Sequence, residues 1–134
     1  MKNKGRPITY KNELDKNIRK LQLSKFSLKN IPFNTFKEWY LAQNNCCIYC
    51  GLNNLESIQL SQKYPEATRG GKRGFSLELD RKDPKITDYS VLENLCFACY
   101  WCNNAKTNYF SFKEFQIIGL SIQEIQINRL KNIK

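Results

Sequence analysis

The sequence predicts an α+β fold in which a short two-stranded unit lies between helical segments, and three observations lead to this prediction. Residues 75–80 alternate apolar and polar side chains, as a strand with one buried face does, and residues 94–98 form a second, mostly apolar run. Apolar residues spaced three and four apart predict helices before residue 44 and after residue 111. Two C-x-x-C pairs, at residues 47–50 and 99–102, lie before the first strand and after the second.

A chain of 134 residues with 41% hydrophobic content has the size of one domain with a single core. We therefore predict a single domain over residues 11–134, preceded by a basic flexible arm over residues 1–10. Within it, helices are expected over 11–44, the cysteine-bounded strand unit over 45–108, and further helices over 109–134. No long apolar run predicts a membrane segment, and the N-terminus lacks the apolar stretch of a secretion signal, so a cytoplasmic location is expected.

The N-terminal part predicts two helices separated by a proline. Apolar residues four and three apart over residues 12–23 leave lysine and arginine on the other face. Pro32 breaks the chain, and Thr35 followed by Glu38 has capping-box spacing, which predicts a second helix to about residue 43. Residues 51–74 show no clear period and contain glycines and a proline among lysines and arginines, so this stretch is predicted to be a basic loop.

The alternation over residues 75–80 also predicts which side chains of that strand are buried. Leu77 and Leu79 should face a core, while Glu78 and Asp80 share the opposite face. A polar loop and the second strand follow, and a helix is predicted from about residue 99 to about residue 108.

Two further capping boxes, Ser111 with Glu114 and Ser121 with Glu124, predict C-terminal helices over residues 112–118 and 122–132. Gly119, between them, has the position of a helix C-cap. The apolar residues of these helices are expected to dock on the cysteine-bounded unit: Phe112, Phe115, Ile118, Leu120, Ile122, Ile125, Ile127 and Leu130.

The formal net charge of +10 is concentrated near the N-terminus, where the first 30 residues hold nine lysines and arginines and two acidic residues. A basic surface of this kind favours nucleic acid as the partner, with a merely solvating surface as the alternative. An anionic membrane surface is disfavoured, because no basic helix with aromatic anchors is evident. Nucleic-acid contacts are expected from Lys4 and Arg6 in the arm and from Lys72 and Arg73 in the loop.

Six cysteines offer more thiols than one metal ion needs. In a chain without a secretion signal they favour a metal or free thiols over disulfides. Thiolates two residues apart can hold one tetrahedral ion from a single turn, so the two pairs predict structural Zn²⁺. Cys96 alternates with its neighbours in a strand and Cys46 precedes the first pair, so both are interpreted as ordinary thiols. The predicted zinc ligands are Cys47, Cys50, Cys99 and Cys102, and free thiols are the alternative.

The order of strand, loop, strand and helix, with these cysteine pairs, resembles the zinc-containing HNH endonuclease family, also called ββα-metal or His-Me finger nucleases. The resemblance covers about residues 45–108. It rests on Asp80-Arg81 at the first strand end, Asn94 at the second strand, and Asn103 and Lys106 beside the last cysteine. The expected fold class is therefore α+β, with a small zinc-stabilised HNH-like core flanked by N-terminal and C-terminal helices.

The resemblance implies a metal-dependent endonuclease that hydrolyses phosphodiester bonds in DNA. Asp80 and Asn103 would bind one catalytic Mg²⁺ or Mn²⁺, Asn94 would fix the loop, and Arg81 and Lys106 would contact phosphates. The implied catalytic set is thus Asp80, Arg81, Asn94 and Asn103. Duplex DNA is the expected partner, and a homodimer is the assembly that would cut both strands.

The sequence departs from the family pattern at Arg81, which stands where the family has its catalytic histidine, and the chain contains no histidine. A guanidinium stays protonated at physiological pH and cannot accept a proton from water. The base would have to be a metal-bound hydroxide, a substrate phosphate, or a carboxylate such as Glu78 or Asp83. The alternative function is a non-catalytic, zinc-stabilised nucleic-acid-binding protein on the same scaffold.

Overall fold

The computed structural model describes residues 12–65 and 76–133. The predicted basic arm over residues 1–10, with Lys4 and Arg6, lies outside the described residues, as do Lys72 and Arg73 of the predicted loop. The chain divides into two compact units, an N-terminal unit, Met1–Ala42, and a C-terminal unit, Gln43–Lys134. The single domain over residues 11–134 remains a prediction. Among the described helices, none combines the length and the apolar character needed to cross a membrane.

The N-terminal unit consists of α1 (Glu13–Leu23), a 3₁₀ turn (Phe26–Asn30) and α2 (Phe33–Ala42). The Asn12 side chain caps α1 by accepting a hydrogen bond from the Asp15 N–H, at 2.9 Å. Gln22 is fully buried, and its amide donates to two carbonyl oxygens in the connection after α1, so this side chain replaces backbone partners there.

Helix α2 begins earlier than the sequence predicts. It starts at Phe33, directly after Pro32, whose carbonyl accepts hydrogen bonds from the N–H groups of Thr35 and Phe36. Thr35 therefore lies inside the first turn and is not an N-cap, so the predicted capping box with Glu38 is wrong. Proline before the first turn is favourable because it sets the backbone angle and needs no donor there.

The C-terminal unit begins with the first cysteine pair and then α3 (Asn54–Lys63), where the sequence predicts a loop. The prediction is wrong because Asn53 and Glu56 form a capping box that starts the helix. The buried face of α3 consists of Leu60 with two serines, which gives little apolar periodicity. The remainder of the predicted loop, residues 66–74, lies outside the described residues.

The sheet of the described chain pairs β1 (Glu78–Arg81) with β2 (Leu95–Ala98) in antiparallel register, with Glu78 opposite Ala98 and Arg81 opposite Leu95. All residues of β2 are buried. A 3₁₀ turn (Leu92–Asn94) precedes β2, and α4 (Tyr100–Lys106) follows it with Cys99 as its N-cap. Both predicted strands and the predicted helix are therefore present, and the α+β class with this ββα unit is confirmed.

One continuous helix, α5 (Phe112–Lys131), closes the C-terminal unit. The capping box of Ser111 with Glu114 is confirmed, whereas Ser121 and Glu124 lie within the helix and cap nothing. Helix α5 contacts α3 and α4. Of the apolar residues predicted to dock, Phe115 is fully buried, but three others are more than 40% exposed, namely Leu120, Ile125 and Ile127.

Gly119 does not end a helix, contrary to the prediction, but lies at a close approach between α5 and the first cysteine pair. A Cβ atom there would lie 2.5 Å from the carbonyl oxygen of Tyr49. The glycine is therefore required by packing against the neighbouring backbone and not by its own backbone angles.

We expect Gly119→Ala to destabilise the protein by about 1–3 kcal/mol, because the Tyr49 backbone must shift to admit the methyl group. At an exposed helical position the same change would stabilise by up to about 1 kcal/mol. Denaturant unfolding of the metal-loaded chain measures the difference. Ser121→Ala, at an exposed position of the same helix, is the control, and equal stability of the two variants would contradict the close approach.

Candidate functional site

Four cysteines from two distant segments converge in the C-terminal unit. The Sγ atoms of Cys47, Cys50, Cys99 and Cys102 all lie within 4.8 Å of one another, and all four residues are buried. Zn²⁺ bound tetrahedrally at about 2.3 Å from each sulfur would place the sulfurs about 3.8 Å apart. The Cys50 and Cys99 sulfurs are 3.7 Å apart, so the cluster has the dimensions of a four-thiolate metal site.

Backbone geometry holds the two cysteine pairs together. The Ile48 N–H donates to the carbonyl of Phe97 in β2, at 2.9 Å, which joins the first pair to the sheet. Gly51 follows that pair with φ of +81°, a conformation that favours glycine, and its N–H donates to the Cys47 carbonyl. In the second pair, the Cys102 N–H donates to the Cys99 sulfur at 3.3 Å. These hydrogen bonds therefore bring the two cysteine pairs to one place in the fold.

The four clustered thiols are hydrogen-bonded to one another, and a bound cation would take the place of the protons in these hydrogen bonds. The hydrogen bond between Cys47 and Cys102 raises the pKa of Cys102 and lowers the pKa of Cys47, since one holds the proton and the other accepts it. Four buried sulfurs at this separation cannot all be thiolates without a positive charge among them. The donor set therefore fits a soft or borderline divalent metal such as Zn²⁺.

The other two cysteines lie outside this cluster, as the sequence predicts. Cys96 is buried in β2, and its thiol is within 4.0 Å of the Asp80 carboxylate. Burial, followed by the negative charge of Asp80, raises the pKa of Cys96 to about 12. Cys46 is partly exposed, and burial raises its pKa as well. Both are free thiols.

Asp80 is buried at the centre of the ββα unit. Its Oδ2 accepts a hydrogen bond from the Tyr49 hydroxyl at 2.7 Å and lies 3.3 Å from the Lys106 ammonium. Burial raises the pKa of Tyr49, so the phenol keeps its proton and donates. The Asp80 side chain is only 10% exposed. The negative charge of this carboxylate is thus compensated by groups within the fold.

Lys106 is not placed to contact a phosphate, contrary to the prediction. Its side chain is 1% exposed, and its ammonium donates to the Arg81 carbonyl at 2.8 Å in addition to pairing with Asp80. A buried lysine is stable only when its charge is compensated, and both partners here are internal. Lys106 therefore joins α4 to the end of β1.

Asn103 is hydrogen-bonded to Glu78. Its amide donates to the Glu78 carboxylate at 2.8 Å, and both side chains are partly exposed. Within the described part of the chain, Asp80 and Asn103 share no hydrogen bond. Asn103 thus pairs directly with a different carboxylate of the same strand face, while its predicted partner Asp80 pairs with Lys106 and Tyr49.

Asn94 and Arg81 organise the chain around the end of β1. The Asn94 side chain accepts from the Asp83 N–H at 2.9 Å and donates to the Asp83 carbonyl at 3.1 Å, so it fixes the loop that follows β1. The Arg81 guanidinium lies over the Tyr89 ring, 5.2 Å from its centroid, and donates to the Asn108 side chain at 3.3 Å. Arg81 is partly exposed, and these two contacts hold its guanidinium in position.

Comparison with known proteins gives a structural match only. Neither a comparison with protein-family profiles nor a sequence comparison with curated proteins finds a match. The solved structure of PacI, a rare-cutting HNH restriction endonuclease described as perturbing DNA, superposes with a TM-score of 0.62 at 23% identity over 92% of each chain. The chain shares the fold of this HNH endonuclease. The similarity extends beyond the ββα unit, because it includes most of both chains.

Parts of the site on the HNH fold were not found by sequence reasoning. Tyr49 lies between the first two zinc-ligand candidates, and only the packing shows that its hydroxyl reaches Asp80. Alternation predicts that Glu78 shares a face with Asp80, but nothing in the local sequence indicates that Asn103 pairs with Glu78. Nothing in the local sequence indicates that Tyr89 lies under Arg81.

Proposed function

We propose that this chain is a zinc-stabilised, metal-dependent endonuclease that hydrolyses phosphodiester bonds in DNA. The observation that carries the proposal is the pairing of Glu78 with Asn103 on the ββα unit of an HNH fold. It brings the Glu78 carboxylate and the Asn103 amide together at partly exposed positions, with the amide nitrogen donating to the carboxylate. Carboxylate and amide oxygens are the ligands that Mg²⁺ and Mn²⁺ prefer, so a bound cation would replace this hydrogen bond and take the amide oxygen as its ligand.

The structure supports Asn103 and Glu78, in place of the predicted Asn103 and Asp80, as the residues that would hold the catalytic cation. Asp80 is compensated by Lys106 and Tyr49, and using it would require breaking a buried ion pair. When bound, such a cation stabilises negative charge on the phosphate oxygens as a Lewis acid. The proposed structural Zn²⁺, on the four clustered thiols, supports the unit without contacting substrate.

Arg81 is proposed to bind the phosphate that is cut. Its guanidinium is partly exposed, and the Tyr89 ring and Asn108 orient it, so it can present two N–H donors to phosphate oxygens. It neutralises charge and does not accept a proton. The proton of the attacking water must therefore go elsewhere, and Glu78 at the start of β1 and Asp83 just after its end are the carboxylates that could take it.

The nuclease proposal is tested by incubating zinc-loaded protein with supercoiled plasmid in Mg²⁺ or Mn²⁺. We expect nicking by the unmodified chain and a loss of at least about a hundredfold in Asn103→Ala, because a proposed ligand of the catalytic cation is removed and with it the stabilisation of transition-state charge. Asn104→Ala is the matched control, since Asn104 is the next residue of α4 and its amide bonds the Tyr100 carbonyl. Glu78→Gln should behave like Asn103→Ala.

Nicking that persists in both Asn103→Ala and Glu78→Gln would contradict the proposed cation site, but the chain would still be an endonuclease. Nicking abolished equally in Asn104→Ala would indicate general damage to α4. These two outcomes separate the assignment of residues from the assignment of function.

A second function is favoured by one specific observation, the presence of Arg81 at the family's histidine position in a chain without histidine. On this alternative the protein is a non-catalytic binder of nucleic acid, and Arg81 contacts a backbone phosphate. It predicts salt-sensitive DNA binding with no cleavage in any divalent metal. In that case Arg81→Ala weakens binding, and Asn103→Ala leaves it unchanged.

A further inference from the structure

A cavity of about 520 Å³ opens beside the end of β1, between the loop after this strand and the connection from α4 to α5. Its volume lies in the range of about 300–1,000 Å³ that is usual for small-ligand sites. Its lining includes three lysines, two aromatic residues and an asparagine: Lys82, Lys85, Lys113, Tyr109, Phe112 and Asn108. None of the proposed zinc or cation ligands belongs to this lining.

Two aromatic rings line the cavity in different ways. The Phe112 ring contacts the Tyr49 ring, at a centroid distance of 5.8 Å, and the Lys82 ammonium lies over the Phe112 ring, 5.5 Å from its centroid. Tyr109 is 82% exposed and contacts the Phe110 ring edge to face at 5.0 Å. A flat ligand entering the cavity would therefore find the Tyr109 ring accessible, whereas the Phe112 ring is covered by Lys82 and Tyr49.

The charges around the cavity favour an anion. Lys82, Lys85 and Lys113 line it with three ammonium groups. The two acidic residues of the lining are already used as local hydrogen-bond acceptors: Asp83 accepts from the Lys85 N–H at 3.0 Å, and Glu114 accepts from the Ser111 N–H at 2.9 Å. A ligand that combines a flat ring with a phosphate matches this lining.

The connection that presents Tyr109 is held in a strained conformation. Thr107 has φ of 53° and ψ of −149°, in a region that side chains other than glycine rarely adopt. Its hydroxyl accepts from the Tyr109 N–H at 3.1 Å, which fixes the turn. Asn108, between these residues, lines the cavity and accepts from Arg81. The cavity is therefore joined directly to the guanidinium proposed to bind phosphate.

We propose that this cavity binds one unpaired nucleotide of the DNA strand, next to the phosphate held by Arg81. The base stacks on Tyr109, and the flanking phosphates meet the three lysines. The proposal deepens the endonuclease function given above and rests on it for the identity of the strand. Extracting a base from a duplex opposes binding, so DNA that already contains an unpaired nucleotide should bind more tightly.

The test is equilibrium binding of the zinc-loaded full chain without added Mg²⁺ or Mn²⁺, so that cleavage does not enter. Three duplexes are compared at one salt concentration: fully paired, with a single bulged thymidine, and with an abasic site in the bulge. We expect the bulged thymidine to bind about tenfold more tightly than either of the others. Tyr109→Ala should abolish this preference, and Tyr109→Phe, which keeps the ring, should retain it.

Two results would overturn the nucleotide cavity. One is equal affinity for the thymidine bulge and the abasic bulge, which would mean that only DNA flexibility is recognised. The other is a preference that survives in Tyr109→Ala, which would place the base elsewhere. Tyr109 is too exposed for its loss to unfold the chain. Either result leaves the plasmid assay unaffected, and absence of nicking in that assay leaves this binding preference intact.

Discussion

Replacing Cys99 by serine is expected to release the structural metal and to unfold the C-terminal unit. Cys99 is fully buried, lies in the cluster of four thiols and also caps α4, so no other sulfur can take its place without moving that helix. Binding of structural zinc by four ligands contributes about 10–16 kcal/mol, which is as large as the whole stability of a typical domain. Elemental analysis and far-UV circular dichroism measure the two losses.

Cys96→Ser is the matched control for Cys99→Ser. Cys96 is equally buried and lies only three residues earlier, but its thiol contacts Asp80 and not the cluster. We expect this variant to keep about one zinc per chain and its helical signal, because zinc stoichiometry depends on the four clustered sulfurs. A Cys99→Ser protein that stays folded, or an unmodified protein that folds without metal, would contradict a structural zinc site.

The sequence could predict the thiol cluster and the ββα unit because both depend on local patterns. Two pairs with the spacing of metal ligands, a strict alternation, and the assignment of Cys96 to a strand were enough to select the four sulfurs that converge. The capping box of Ser111 with Glu114 is local in the same way. Such features are set by neighbouring residues, so a single sequence contains them.

Elements that depend on contacts between distant residues could not be predicted in this way. Helix α3 buries Ser57 and Ser61 beside Leu60, so its inner face does not have an apolar pattern. Gly119 has the local properties of a helix end, but the close approach of the Tyr49 backbone explains the residue instead. Residue propensity describes one segment at a time, and packing can override it.

The candidate site shows the same division. Alternation correctly places Glu78 and Asp80 on one face of β1, but it cannot tell which carboxylate is covered. Helix α4 places Lys106 against Asp80 and Asn103 against Glu78, and this choice follows from the way the helix packs on the strand. Asp80 therefore belongs to a buried ion pair with Lys106, whereas the sequence predicts it as a cation ligand with Asn103.

Replacing Lys106 by methionine is therefore expected to destabilise the protein by about 3–5 kcal/mol, because the Asp80 carboxylate is left buried without its cation. The loss should be partly recovered in the double variant Asp80→Asn, Lys106→Met, in which the buried charge is removed and the Tyr49 hydroxyl keeps an acceptor. Denaturant unfolding of the zinc-loaded chains gives the four free energies of this double-mutant cycle.

The single variant Asp80→Asn distinguishes the buried pair from a cation site in the same measurements. If Asp80 acts through Lys106, this variant is itself destabilised, since a buried ammonium loses its counter-charge, and the coupling between the two positions exceeds about 1 kcal/mol. If Asp80 instead bound the catalytic cation, Asp80→Asn would abolish nicking with unchanged stability, and the two positions would be additive. Glu78→Gln gives the complementary result: its nicking is lost if Glu78 binds the cation and is kept if Asp80 does. The pair of variants therefore decides which carboxylate of β1 serves the reaction.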